Sequence, residues 1–81
     1  MANYINPEII RRHKPYSKFK AWMDERNIGQ AEIAEIVGKS KTAINQNLNG
    51  TGGDLSVIDV RKICIAYGIS SDEFFINQNV S

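Results

Sequence analysis

Cysteine occurs once in the 81 residues, at Cys64, and histidine once, at His13. A lone thiol excludes an intramolecular disulfide and leads us to expect a reducing, cytoplasmic setting. One His and one Cys also fall short of the three or four ligands that a zinc site takes, so neither a metal nor a cofactor is expected. Long apolar runs are missing as well. The longest, Ile63 to Tyr67, is five residues, against the roughly 20 that a membrane span requires. Residues 1–14 hold no apolar stretch behind a basic region, so no secretory signal is expected. Catalysis lacks its parts. Cys64 has no histidine near it in sequence, and the acid pairs Asp24-Glu25 and Asp72-Glu73 are adjacent residues that diverge by about 100° on a helix. No enzymatic activity and no small-molecule ligand is expected. What is present, 42% hydrophobic and 23% charged residues, fits one small domain.

Net charge is only +1, but it is unevenly placed. Residues 1–20 carry five basic side chains, Arg11, Arg12, Lys14, Lys18 and Lys20, against Glu8 alone. Residues 39–50 add Lys39 and Lys41 with no acid, and the remainder is acidic by five charges. Such polarity suits a face for an anionic partner, and it also suits an ordinary solvated surface.

The periodicity is helical throughout, so the expected class is all-α. Pro15 is expected at a first helical position, opening a helix with Phe19, Trp22, Met23 and Arg26 on one face. Asn27 to Gly29 ends it. A second helix is expected from Gln30 to Val37, with Ile33, Ala34, Ile36 and Val37 inward, stopped by Gly38. Ser40 then suits an N-cap for a third helix ending at Asn49 and Gly50, which leaves a turn of about three residues. Ser56 and Asp59 have capping-box spacing for a fourth helix burying Val57, Val60, Ile63, Cys64 and Tyr67. Ser70 and Glu73 repeat that spacing ahead of a short fifth helix with Phe74 and Phe75.

The third helix carries the functional signal. On a helical wheel Ala43, Ile44 and Leu48 form a narrow inward stripe, while Thr42, Asn45, Gln46 and Asn49 line the opposite side without a single acid. Asn and Thr are poorer helix formers than Glu or Lys, so their use on an exposed face calls for a reason. Amides, a hydroxyl and the nearby Lys41 are groups that pair with base edges. A weak, Asn-rich solvent-facing helix is the plain alternative.

The run Gln30-Ala31-Glu32-Ile33-Ala34-Glu35-Ile36-Val37-Gly38, continued by Lys39-Ser40-Lys41-Thr42-Ala43-Ile44-Asn45-Gln46-Asn47-Leu48-Asn49-Gly50, resembles the helix-turn-helix of the lambdoid phage repressor and Cro family. The resemblance extends over about residues 17–75. It implies a compact five-helix domain that binds double-stranded operator DNA as a two-fold dimer and switches transcription. It further implies that Lys41, Thr42 and Gln46 read bases, with Asn45 nearby, that Gln30 holds a phosphate, and that Ser40 caps the third helix and touches phosphate. With these, Lys39 and Asn49 are assigned to the DNA backbone. Asn47 departs from the family, which often has a large apolar side chain there, and Lys39 replaces a small apolar turn residue.

Three segments remain. Residues 1–15 read as a basic leader in which Arg11, Arg12 and Lys14 can reach phosphates or a minor groove. The leader can also be merely solvated, or form a short helix through Tyr4, Ile5, Ile9 and Ile10. Residues 16–76 form the domain and residues 77–81 a flexible tail. Gly50 to Gly53 can present backbone N–H groups to a phosphate or serve as a permissive loop. Ile58 and Ile65, seven apart and off the core stripe, suggest a homodimer surface that Phe74, Ile69 and Phe75 can join. Trp22 and Cys64 read as core. The rival function is a small helical protein-interaction module, of antirepressor or antitoxin type.

Overall fold

In the computed structural model residues 13–76 are described; Arg11, Arg12, the apolar set Tyr4, Ile5, Ile9 and Ile10, and the tail 77–81 lie outside the described residues. The chain is all-helical there: α1 (Ser17–Glu25), α2 (Gln30–Val37), α3 (Lys41–Asn49), α4 (Val57–Tyr67) and a single π-helical turn, Asp72–Ile76.

Local signals set most of these boundaries. Gly38, in a left-handed conformation, closes α2, and the Ser40 hydroxyl accepts the Ala43 N–H at 3.0 Å to open α3. The α2–α3 turn is therefore Gly38, Lys39 and Ser40, as the sequence predicts. Ser56 and Asp59 form the full capping box of α4: Ser56 Oγ accepts the Asp59 N–H at 3.0 Å, and Asp59 Oδ2 accepts the Ser56 N–H at 2.9 Å.

Elsewhere tertiary contacts override the local reading. Pro15 does not open α1, which begins two residues later. Tyr16 donates its backbone N–H to the carbonyl of Leu48 at 2.9 Å, and its ring is buried, so the chain is committed to α3 before it turns helical. Arg26 is not on the buried face; it caps α1 and lays its guanidinium over the Trp22 ring, 4.7 Å from the centroid. The second capping box is half made. Ser70 Oγ accepts the Glu73 N–H at 3.3 Å, while the Glu73 carboxylate faces Lys18 at 4.0 Å.

Phe19, Ile33, Ile44, Leu48 and Ile63 are fully buried, so all four helices send at least one side chain to a common centre. Each such side chain stabilises the fold by roughly 1.5–3 kcal/mol. Aromatic rings close the C-terminal end: Phe75 sits 4.8 Å from Phe19 and 5.6 Å from Tyr16, and Trp22 packs edge-on to Tyr67 at 5.1 Å. Phe75 thus belongs to the core and not to an outer patch. On α4 the register differs from the expected stripe. Val57 is 74% exposed, and Asp59 is buried in its place beside Ile63.

Candidate nucleic-acid interface

The rotation of α3 follows from its apolar residues. Ile44 and Leu48 are fully buried, and this leaves Lys41, Thr42, Asn45 and Gln46 exposed along the outer side, with Asn49 half-buried below them. Ala43 is only half-buried, and Asn47 takes its place on the inner face at 4% exposure. The outer ridge carries hydrogen-bonding groups and one cation.

A chain of hydrogen bonds continues this ridge onto α1 and α2. Lys20 Nζ donates to Asn49 Oδ1, Asn49 Nδ2 to the Asn45 carbonyl at 2.9 Å, and Asn45 Nδ2 to Gln30 Oε1 at 3.2 Å. Gln30, at the start of α2, therefore lies between two hollows. One, of about 240 Å³, is lined by Gln30, Lys41, Thr42 and Asn45; the other, of about 150 Å³, includes Lys20, Asp24 and Gln30. Among the described residues nothing engages the Lys41 ammonium or the Thr42 hydroxyl. Sequence reasoning missed Lys20 as part of this strip. The basic count over residues 1–20 included it, but only the packing of α1 on α3 shows which face it joins.

At the far end of α3 the chain crosses itself closely. Gly50 is left-handed at φ 76°, and its carbonyl accepts the His13 N–H at 3.3 Å. A Cβ on residue 50 would fall 2.0 Å from the His13 carbonyl oxygen, so only glycine fits. His13 Nε2 faces the Gly53 carbonyl at 3.2 Å and Asp54 Oδ1 at 3.4 Å, and its ring lies 5.6 Å from that of Tyr16. The Tyr16 hydroxyl donates to Asp54; burial and this carboxylate push its phenol well above the ordinary range. The described chain thus enters the fold beside the C-terminal end of α3, with Lys14 exposed. Arg11 and Arg12 lie outside the described residues.

The sequence assigns Lys39 to phosphate. Its ammonium instead reaches Asp59 Oδ2 and Asn47 Oδ1, each at 2.7 Å. Burial pushes the Asp59 carboxyl up, but the bonds from Lys39 and from the Ser56 N–H prevail and hold it below the usual carboxylate value.

The residues expected at a dimer surface are not gathered in one place. Ile58 and Ile65 are 59% and 75% exposed on α4. Ile65 edges an apolar groove of about 590 Å³ with Leu55, Val57, Val60, Ile69 and Ile76. Phe74 turns the other way, into a hollow with Trp22 and Lys18. Among the described residues no helix is long and apolar enough to cross a membrane, and no cluster of three His, Cys, Asp or Glu could hold a metal ion.

A family model described as helix-turn-helix matches residues 19–74, which takes in most of α1 and reaches into the π turn. The chain matches no curated protein and no solved structure.

Proposed function

The chain belongs to the lambda repressor/Cro-like helix-turn-helix family of DNA-binding regulators, and from that premise we propose that it is a phage-type repressor or Cro-like switch that acts by occupying an operator. In this reading α3 enters the major groove. Lys41, Thr42, Asn45 and Gln46 meet base edges, and Gln30, Ser40, Asn49, Lys14 and the leader arginines Arg11 and Arg12 meet phosphates. The observation that carries it is the exposed, acid-free ridge of α3, continuous through Asn45 with Gln30 and through Asn49 with Lys20. An amide ridge linked to a cation in this way offers direct readout at its centre and charge neutralisation at its edge.

Two copies are proposed to act together, through the α4 side that exposes Ile58 and Ile65. Selection of bound duplexes from a random pool tests both points. The expected result is an enriched motif with two-fold symmetry and half-sites about 10 to 10.5 base pairs apart. Failure of any sequence to enrich at low salt would remove operator binding and favour a fold used to grip a protein.

A further inference from the structure

We propose that Lys39 is a positioning residue for DNA recognition, not a phosphate ligand: it fixes α3 in the orientation that the bases meet. The proposal rests on the DNA-binding reading above. Its ground is one ammonium group at which three elements converge. Lys39 belongs to the α2–α3 turn, Asn47 to the buried face of α3, and Asp59 to the first turn of α4, and Lys39 Nζ lies 2.7 Å from an oxygen of each of the last two.

Burial makes this arrangement hard to leave. The Asp59 side chain is 8% exposed and Asn47 is 4% exposed, while the Lys39 side chain retains 29%. Were Lys39 to swing toward a phosphate, a buried amide oxygen would lose its donor and a buried carboxylate its cation, keeping only the Ser56 N–H. The ammonium therefore stays where it is when DNA approaches, and its charge is already neutralised by Asp59.

The backbone of α3 runs close to α2 and α1 and less so to α4. Apolar contact through Ile44, Leu48 and Ile63 holds the helices together without fixing rotation tightly, because such contact is non-directional. A hydrogen bond to Asn47 is directional. It lies on the face of α3 opposite Thr42 and Asn45, so a small rotation about that bond would swing the exposed side chains through the groove. The capping acid of α4 is thereby used twice, once on the Ser56 N–H and once on Lys39.

Lys39→Met separates the two roles, because it keeps the apolar stem and removes the charge. Binding is measured on a pool-selected duplex and on a random duplex over a series of salt concentrations, with thermal unfolding alongside. The expected result is an unchanged salt slope on random DNA and a fall on the order of tenfold in preference for the selected duplex. A slope reduced by about 0.9 with preference intact would make Lys39 a phosphate ligand and overturn the proposal. No change in either quantity would overturn it as well.

The double variant Lys39→Met, Asp59→Asn removes the buried unpaired carboxylate and guards against loss of folding. It is expected to regain thermal stability without regaining sequence preference; recovery of both would reduce Lys39 to a stabilising contact and overturn the positioning role. Should the unaltered protein enrich no sequence, operator binding fails on its own, and the slope on random DNA still decides whether Lys39 is a phosphate ligand.

Discussion

The side chain of Gln46 lies against the bare backbone of Gly52: a Cβ on residue 52 would stand 2.6 Å from Gln46 Oε1 and 2.9 Å from Gln46 Cβ. The clash reaches Gln46 Cβ, which the α3 backbone fixes, as well as the side-chain tip, so Gly52→Ala must shift the loop away from α3 and turn the glutamine out of its place. Residue 52 has no left-handed backbone to strain, so the cost of alanine is the displacement of the loop alone. We expect Gly52→Ala to change base preference at one position by about 1–3 kcal/mol, the same position that Gln46→Ala affects, and to lower the melting temperature where Gln46→Ala does not. Binding to duplexes varied one base pair at a time checks this. A uniform loss over all duplexes would take Gln46 away from the bases.

Gln30 and Asn45 are joined across the α2–α3 corner at 3.2 Å. That bond leaves Asn45 Oδ1 and the Gln30 amide nitrogen directed elsewhere, so the two residues divide between base and backbone. Asn45→Ala should therefore lose about 1–3 kcal/mol of discrimination at one base pair. Gln30→Ala should weaken binding to every duplex by about 1 kcal/mol and also relax preference at the Asn45 position, because it removes a neutral contact and a support together. Equal effects of Gln30→Ala on all positions would show that the support is not used.

Gly50 should be the least replaceable residue of the loop. Alanine there meets two independent penalties, a left-handed backbone at φ 76° and a clash at 2.0 Å with the His13 carbonyl. The backbone term alone is about 1–2 kcal/mol, and relieving the clash must break the His13 N–H bond to the Gly50 carbonyl. Gly50→Ala is expected to destabilise by more than about 2 kcal/mol, which in a domain of this size lowers the melting temperature by roughly 10 °C. His13→Ala, which keeps the backbone bond, should lower it less.

The helix-turn-helix was legible because its signals are local. Gly38, Ser40 and Gly50 act within one turn of their own positions, and the Ile44 and Leu48 spacing sets which side of α3 faces out. Four features were not legible, each for the same reason. Lys39 reads as a surface cation because its partner Asp59 lies 20 residues on, and Asp59 reads as a capping acid and nothing more. The expected stripe on α4 counts aspartate as outward, and so it places Val57 inside and Asp59 outside, opposite to the structure. Asn47 reads as a departure from an apolar position, although with Lys39 beside it the amide is a fitting buried group. Lys20 joins the α3 face only through the packing of α1. Charge pairs between distant elements leave no periodic trace in sequence.

The Lys39–Asp59 pair also gives stability a dependence on pH whose sign can be worked out. The folded-state carboxyl of Asp59 titrates below its ordinary value. Its contribution is therefore complete above the unfolded-state value, near about pH 4, and is lost as the pH falls through the lower folded-state value. Asp59→Asn keeps an amide oxygen for the Ser56 N–H but has no charge to titrate. At pH 7 the variant should be less stable by about 2–3 kcal/mol, somewhat under the usual effect of breaking a buried pair because Lys39 retains access to water. As the pH falls below about 4 the unaltered protein should lose stability faster, so that the two denaturation midpoints converge. Midpoints that stay parallel through this range would mean that Asp59 carries no charge-dependent bond to Lys39 in solution.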